Sequence, residues 1–422
     1  MLVAFSVTNY GPFSEKVGLT TLCDTSKKEQ VQNTTFEESG IKYNNVNYIY
    51  GFNGTGKSHI FKALLSMQHI LALSPIIATN NQQILESSNI DYEVSSQRDY
   101  FRFKEEYRSI PTEYEITISI EGIRYTYSFQ VLDQKIISEK LSKKFKRTEI
   151  LIDRKSPHFE DILLRSEFKS FEPFRSTVKE NVLCLSMAMF LNNSLAVRIY
   201  EAITEIIVIN MAGQINNQYF EDVTKDDLDL YMRIIRMADS TIKKLNVSLE
   251  QEEVNKKIKL SNDFESRNFV IKNLNVDIES VHDVYKDEKV FREETLPFLQ
   301  FESNGTIKLF GALPAIFKAL STGGTIFIDE IENGLHPILT KLIVELFNSS
   351  DTNPLHAQLI CSSHEVYLLK ENVRRDQVWF LHKNKYGESS IKRLSKFPGT
   401  RSSDDIEYKY LHGAFGEIPK IQ

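Results

Sequence analysis

The chain is short of cysteine, of long apolar runs and of excess positive charge. Among its 422 residues only Cys23, Cys184 and Cys361 are cysteines, and they lie far apart without metal-ligand spacing. This pattern favours buried thiols in a reducing compartment over a disulfide framework. No apolar run approaches the length that spans a bilayer, and the N-terminus lacks a basic leader. We therefore expect a cytoplasmic protein with no membrane partner.

The net charge of −6 argues against a surface that is one large nucleic-acid footprint. Two local basic clusters nevertheless leave nucleic acid open as a partner. They are Lys143, Lys144, Lys146 and Arg147 in one, and Arg374 and Arg375 in the other. A short cluster of this kind can equally be a solvated turn, and the arginine pair can serve packing or a dimer contact.

The stretch 51–58, GFNGTGKS, has the spacing of a phosphate-binding loop, and we call it the phosphate loop. It follows a short apolar run and precedes a helical pattern, which is the order strand, glycine-rich turn, helix. Its glycines let backbone N–H groups converge on phosphate oxygens, Lys57 supplies a positive charge, and Ser58 offers a hydroxyl ligand to Mg²⁺. The expected nucleotide-binding residues here are Asn53, Gly54, Thr55, Gly56, Lys57, Ser58 and His59.

A second motif, TIFIDE at 325–330, is an apolar run that ends in two carboxylates. A buried parallel strand would bring Asp329 to the sheet edge beside the phosphate loop, where it can hold Mg²⁺ through water. Glu330 would then polarise the attacking water. Two adjacent acids can also form a solvated turn, but the upstream phosphate loop favours the catalytic role.

A third pattern places Ser303, Gly305 and Thr306 just before an apolar helix at 309–320. A hydroxyl and a glycine at a helix N-terminus suit a second phosphate contact, although the same pattern is also an ordinary N-cap.

A fourth pattern is an apolar strand at 358–361 that is followed by Ser362, Ser363 and His364. An imidazole at this strand end can sense a γ-phosphate or be structural.

The remaining periodicities predict strands early and helices in the middle of the chain. Expected strands are a hairpin at 2–7 and 17–22, and a meander at 114–120, 124–131 and 136–141. Expected helices lie at 182–191, 195–209 and 228–242, within a helical insertion at 159–245. The charged region 250–294 allows strands or a mobile hairpin.

In the order of these motifs the chain resembles the ABC-type ATPases, a superfamily with RecF-like, SMC-like and OLD-like members. Those enzymes carry Walker A, a signature serine-glycine, Walker B with a catalytic glutamate, a D-loop and a switch histidine. The matching stretches are 51–58, 303–306, 325–330, 332–337 and His364. More narrowly, the chain resembles AAA-labelled ATPases of bacterial defence operons, the AbiL-type and RloA-type. That likeness rests on LVAFSVTNYGPF, ADSTI, ESNGT, FIDEIENGLHP, RRDQVWF and YLHGAFGEIP.

The resemblance implies an α/β fold: an ABC-type P-loop ATPase head with a mixed sheet flanked by helices, an N-terminal antiparallel β subdomain and an inserted helical lobe. The expected domains are 1–150, 151–290 and 291–422. It implies ATP and Mg²⁺ as cofactors, Glu330 and His364 as catalytic residues, and Ser58 and Asp329 as metal ligands. Ser303, Gly305 and Thr306 would contact the nucleotide of a second copy.

The implied function is that of an ATPase that dimerises around ATP and controls a separately encoded toxin or nuclease in anti-phage abortive infection. A RecF-like DNA-repair or DNA-tethering ATPase is the alternative. Relatives tend to have a Thr-Thr-His-Asp type sequence at the end of the switch strand, whereas this chain has SSHE at 362–365. His364 is kept, but the residue after it is Glu365. Gln97 is our candidate for the glutamine loop.

Partner specificity is expected in the helical insertion, which is rich in apolar residues. Some of these would pack within the insertion, as amphipathic helices usually do, and the remainder would form a docking surface. The candidates are Phe168, Phe171, Phe174, Met187, Met189, Phe190, Leu191, Ile206, Ile207 and Met211.

Overall fold

The computed structural model describes residues 1–24, 34–77, 99–211, 217–221, 223–258, 267–370, 373–401 and 404–416, with the backbone alone for 250–258 and 267–274. The strands are β1 (Leu2–Thr8), β2 (Val17–Thr20), β3 (Thr35–Glu38), β4 (Ile41–Asn44), β5 (Val46–Tyr50), β6 (Thr112–Ile120), β7 (Ile123–Leu132), β8 (Lys135–Lys144), β9 (Thr148–Arg154), β10 (Ile162–Leu164), β11 (Ile207–Asn210), β12 (Ile242–Ile258), β13 (Arg267–Lys286), β14 (Lys289–Pro297), β15 (Thr325–Asp329), β16 (Gln358–Ser362), β17 (Val378–Lys383) and β18 (Ser389–Arg393). The helices are α1 (Lys57–Ile77), α2 (Cys184–Phe190), α3 (Ser194–Thr204), α4 (Lys225–Ala238), α5 (Phe298–Phe301), α6 (Asn304–Thr322), α7 (Pro337–Asn348) and α8 (Ile406–Leu411). None of the helices in these ranges combines the length and the apolar character needed to cross a bilayer.

The functional motifs lie on a mixed sheet with the strand order β11-β15-β16-β5-β17-β18. Its first five strands run parallel, and β18 closes the edge antiparallel to β17. Every residue of β5, β15 and β16 is buried, which explains why their sequences are mostly apolar. Because parallel strands present their carboxyl ends at one edge, the residues that follow these strands share a common rim.

A second sheet is antiparallel throughout, with the strand order β10-β9-β8-β7-β6-β1-β2. It confirms the hairpin of β1 with β2 and the meander of β6, β7 and β8. In β6 buried and partly exposed side chains alternate over most of the strand, as expected for a sheet that buries one face. The fold is therefore the mixed α/β arrangement of sheets flanked by helices that the sequence predicts.

The sheets share their core with helix α1. A buried apolar cluster joins side chains of β1, α1, the meander strands and helices α2 and α3. The side chain of Gln68 in α1 also donates hydrogen bonds to the backbone oxygens of Ile203 (2.9 Å) and Ile206 (2.8 Å). The phosphate-loop helix thereby holds the chain where α3 ends and β11 begins.

The predicted helix at 195–209 is wrong in its last third. Helix α3 ends at Thr204, and Ile207–Asn210 forms strand β11, which pairs in parallel with β15. The run of β-branched residues at 206–209 fits an extended strand, and pairing with the sheet edge overrides the helical spacing. Helix α4 likewise ends at Ala238, ahead of the predicted end at 242.

Further differences lie on either side of these helices. Much of 159–177 forms 3₁₀ turns and strand β10 in place of helix, whereas 250–294 forms strands within its described part. Of the candidate docking residues, Phe168, Phe171, Ile206, Ile207 and Met211 are buried, while Phe174, Phe190 and Leu191 are exposed. The domain boundaries near 150 and 290 stay predictions.

Candidate nucleotide-binding site

The phosphate loop connects β5 to α1, in the order that its motif predicts. Gly54 and Gly56 have φ angles of 75° and 100°, in the region that glycine adopts without strain. A Cβ on Gly56 would lie 2.7 Å from Cγ of Pro12, so the loop also packs closely against the turn after β1. The hydroxyl of Thr55 donates to the backbone oxygen of Phe52 at 2.7 Å and closes the loop.

Lys57 lies in the first turn of α1 and is buried. Its Nζ donates to the backbone oxygen of Gly51 at 2.7 Å and more weakly to that of Phe52 at 3.4 Å. Burial lowers the pKa of Lys57 from 10.5 to about 8, while the charges of Asp329, Glu332 and Glu330 act in the opposite direction. The ammonium group thus sits within electrostatic reach of the acidic strand end, held by carbonyls that a phosphate oxygen can replace.

Asp329 ends β15 and is buried. Its Oδ1 accepts a hydrogen bond of 2.5 Å from the hydroxyl of Ser362, and its Oδ2 accepts a longer one of 3.3 Å from Asn210. Strand β16 lies between β5 and β15, so Ser362 comes from the strand that separates the phosphate loop from the acidic strand. A carboxylate oriented in this way, with a hydroxyl at Ser58, is the oxygen donor set that Mg²⁺ prefers.

Glu330 follows β15 with a φ of 52° and begins a tight segment, residues 330–334, that we call the acidic turn. Its backbone N–H donates to the Ser362 hydroxyl at 2.8 Å, and its Oε2 accepts from the side-chain amide of Asn333 at 2.7 Å. Ser362 therefore links both carboxylate residues of the motif. The sequence placed Ser362 at the end of a strand without indicating this role, and it gave no sign of Asn210, because neither residue type marks a carboxylate partner by itself.

His364 follows β16, and its side chain is exposed. Its backbone N–H donates to Oε1 of Glu332 at 2.6 Å. Partial desolvation lowers the pKa of His364, and the nearby charge of Lys57 lowers it further, against the opposing effect of the carboxylates. The ring is therefore neutral near pH 7 and can donate one N–H. Sequence reasoning did not give Glu332 this role, although it falls within the matched stretch 332–337.

The signature residues lie at the start of α6. Ser303 caps this helix by accepting from the backbone N–H of Thr306 at 3.1 Å, which confirms the ordinary N-cap role. A Cβ on Gly305 would lie 2.4 Å from the backbone oxygen of Gly334 in the acidic turn. Gly305 therefore lies directly against the turn after β15. A nucleotide contact of Ser303, Gly305 and Thr306 stays a prediction.

Other expected residues lie around the loop. The ring of His59 packs against Gly11, where its Cδ2 would be 2.4 Å from an added Cβ, and burial lowers its pKa. Phe52 stacks on Tyr410 of α8 with ring centroids 5.9 Å apart, a support that sequence reasoning missed. Gln97 lies outside the described residues.

Lys143, Arg374 and Arg375 of the two basic clusters have acidic or packing partners, whereas Lys144, Lys146 and Arg147 are exposed. Lys143 pairs with Glu149 at 3.3 Å and with Glu167 at 2.7 Å. Arg374 is buried and pairs with Asp376 at 2.8 Å, while Arg375 donates to the backbone oxygen of Thr400. Among the roles that the sequence left open for Arg374 and Arg375, these contacts favour packing within the chain.

A comparison with known protein families finds a match over most of the chain. The model of a family described as "AAA domain, putative AbiEii toxin, Type IV TA system" matches residues 46–180 and 211–370. These spans cover most of the chain and contain the phosphate loop, the signature residues, the acidic strand and His364. No curated protein matches the chain.

Proposed function

The chain belongs to this family of AAA domains, and we propose that it binds ATP with Mg²⁺ and hydrolyses it to ADP and phosphate. The observation that carries the proposal is the position of buried Lys57, which interacts electrostatically with Asp329 and Glu330 at the rim formed by the parallel strands of the mixed sheet. A cation on a glycine-rich loop facing carboxylates at a strand end is the arrangement that phosphoryl transfer requires.

Each residue has a distinct task in this proposal. Lys57 and the N–H groups of the phosphate loop bind the β- and γ-phosphates, and Ser58 and Asp329 would hold Mg²⁺, which neutralises charge on the phosphates. Glu330 accepts the proton of the attacking water. His364, neutral near pH 7, donates its ring N–H to a γ-phosphate oxygen.

The second part of the proposal is a homodimer. The signature residues lie at the start of α6, where Ser303 caps the helix and Gly305 lies close to Gly334 of the acidic turn. The resemblance to ABC-type ATPases supports their use on the nucleotide of a second copy, since two heads in that superfamily enclose two ATP molecules. ATP would then act as a dimerisation ligand, and hydrolysis would release the dimer or a higher oligomer.

The third part concerns the cellular role. The family description names a type IV toxin–antitoxin system, and the likeness to AbiL-type and RloA-type ATPases points the same way. We propose a sensor and scaffold that controls a separately encoded toxin or nuclease in anti-phage defence. The alternative, a RecF-like DNA-tethering ATPase, gains less support, since Arg374 is paired with Asp376 and Lys143 with Glu167.

The test uses the full chain purified alone and co-expressed with the product of the adjacent gene. We expect wild-type protein to bind ATP and hydrolyse it in the presence of Mg²⁺, and Lys57→Ala to lose binding. A Lys57→Ala variant that binds ATP with unchanged affinity would refute the nucleotide site. Retention of duplex DNA by the ATP-bound protein, without capture of the neighbouring gene product, would favour the RecF-like alternative.

A further inference from the structure

The side chain of Asn333 bridges the carboxylate of Glu330 and the helix that starts at the signature residues. Its Nδ2 donates to Oε2 of Glu330 at 2.7 Å, and its Oδ1 accepts from Nζ of Lys308 at 2.6 Å. Lys308 lies in the second turn of α6, five residues beyond the cap Ser303. One amide group thus connects the proposed general base to the signature helix.

The two neighbours fix the orientation of this amide. A lysine ammonium has only donors, so it must face the amide oxygen, and an ionised carboxylate has only acceptors, so it must face the amide nitrogen. Flipping the Asn333 amide would oppose both pairs. Both neighbours therefore favour the same orientation of the amide, and the loss of either one weakens the preference for it.

The backbone around the bridge is equally constrained. Glu330 has a φ of 52°, and Gly334 has a φ of 78°. The backbone N–H of Asn333 donates to the oxygen of Glu330 at 2.8 Å, and the close approach of Gly305 to Gly334 leaves no room for a Cβ. A shift of the start of α6 must therefore move the acidic turn with it.

We propose that Asn333 is a positioning residue that sets the direction of the Glu330 carboxylate according to the position of the signature helix, with Lys308 as the link between helix and amide. A displacement of α6 would then move Lys308 and Asn333 and change the direction of the Glu330 carboxylate, which activates water in the proposed reaction. The consequence for hydrolysis rests on the proposed function, whereas the bridge itself is a property of the chain without nucleotide.

The first test therefore uses nucleotide-free protein. The side-chain amide signal of Asn333 is followed by NMR in deuterated, ¹⁵N-labelled protein, and Asn333→Asp identifies that signal by removing it. We expect Lys308→Met and Glu330→Gln each to shift the Asn333 signal. Lys318→Met, which removes the same charge further along α6, should leave it in place. An Asn333 signal that Lys308→Met does not move would overturn the bridge.

The second test measures hydrolysis by the folded variants. Asn333→Ala and Lys308→Met should each lower kcat about tenfold with little change in KM, because the lost hydrogen bonds orient the base and do not bind the nucleotide. The double variant should be no slower than Asn333→Ala alone, since Lys308 acts through the amide. Multiplied losses in the double variant would show independent roles and refute the relay.

A substitution at Asn333 separates the two halves of the bridge. Asn333→Asp keeps an acceptor for Lys308 but removes the donor to Glu330 and adds a like charge beside it. We expect this variant to lose at least as much kcat as Asn333→Ala, and wild-type kcat would overturn the proposal. If wild-type protein itself hydrolyses no ATP, the proposed function fails while the NMR result still decides the bridge.

Discussion

Ser362 donates a hydrogen bond of 2.5 Å to Asp329, although the two residues lie 33 positions apart. The same hydroxyl accepts the backbone N–H of Glu330 at 2.8 Å, so one side chain of β16 holds both carboxylate residues of the motif on β15. The geometry of the proposed magnesium site therefore depends on a serine to which the sequence motifs assign no role.

We expect Ser362→Ala to lower the free energy of unfolding by about 1–3 kcal/mol, because the buried carboxylate of Asp329 loses a hydrogen-bond donor and the partly buried N–H of Glu330 loses its acceptor. It should also weaken Mg²⁺-dependent ATP binding, since Asp329 loses the shorter of the two hydrogen bonds that orient it. Urea denaturation and titration with ATP at varied Mg²⁺ measure the two effects. Ser363→Ala is the control: that serine is equally buried but accepts from Glu365 at 2.9 Å. Equal effects of both variants on Mg²⁺ dependence would contradict the prediction.

Nucleotide binding should take up protons in mildly alkaline solution. Burial lowers the pKa of Lys57 to about 8, so part of the free protein carries neutral Lys57 at about pH 8.5. A bound phosphate favours the charged form and raises this pKa, so ATP binding recharges the amine. Calorimetry in buffers of different ionisation enthalpy should show uptake near pH 8.5 that vanishes near pH 6.5. Equal proton uptake at both pH values would argue against a lowered pKa of Lys57.

Glu330→Gln should keep ATP binding and slow turnover about a hundredfold or more, since a carboxamide cannot accept the proton of water. The substituted side chain cannot act as a base, but the backbone N–H of residue 330 can still donate its hydrogen bond to the Ser362 hydroxyl. We expect the ATP-bound dimer to accumulate, which light scattering after size-exclusion chromatography measures. Unchanged steady-state hydrolysis would remove Glu330 from the mechanism.

The two left-handed glycines of the phosphate loop should differ in their tolerance of alanine. Among the described residues, no atom beyond the chain neighbours of Gly54 lies within 4 Å of an added Cβ, so Gly54→Ala should cost only about 1–2 kcal/mol of backbone strain. At Gly56 a Cβ would lie 2.7 Å from Pro12 and 3.1 Å from Phe13, which adds overpacking of about 1–3 kcal/mol. Thermal unfolding of both variants tests the order, and a Gly56→Ala variant as stable as Gly54→Ala would contradict it.

Of the ten apolar candidates for a docking surface in the helical segment, three have exposed side chains, Phe174 (47%), Phe190 (37%) and Leu191 (37%). Replacing each of them by glutamate should abolish capture of the neighbouring gene product while ATP binding is retained, because exposed apolar groups commonly mark interfaces. Leu355→Glu, at a 56% exposed site elsewhere, is the matched control. Undiminished capture by the triple variant would place the partner on another surface.

The sequence by itself determined the parts of this site that depend on neighbours along the chain. Strand β5, the phosphate loop and α1 follow one another directly, and the apolar run of β15 ends at Asp329 in the structure as in the pattern. Turn residues, alternation and glycine spacing encode such local elements. The hairpin of β1 and β2 and the meander of β6 to β8 were predictable for the same reason.

Only the tertiary structure decided which distant segments meet. It inserted β16 between β5 and β15, which put Ser362 on Asp329, and it recruited 207–210 as strand β11 although their spacing suggested helix. It also brought Lys308 of α6 to Asn333. A strand pattern specifies which face is buried but not which strand lies beside it, because backbone hydrogen bonds are alike in every pairing. Sheet order, and with it the partners of each carboxylate, follows from packing of the whole chain.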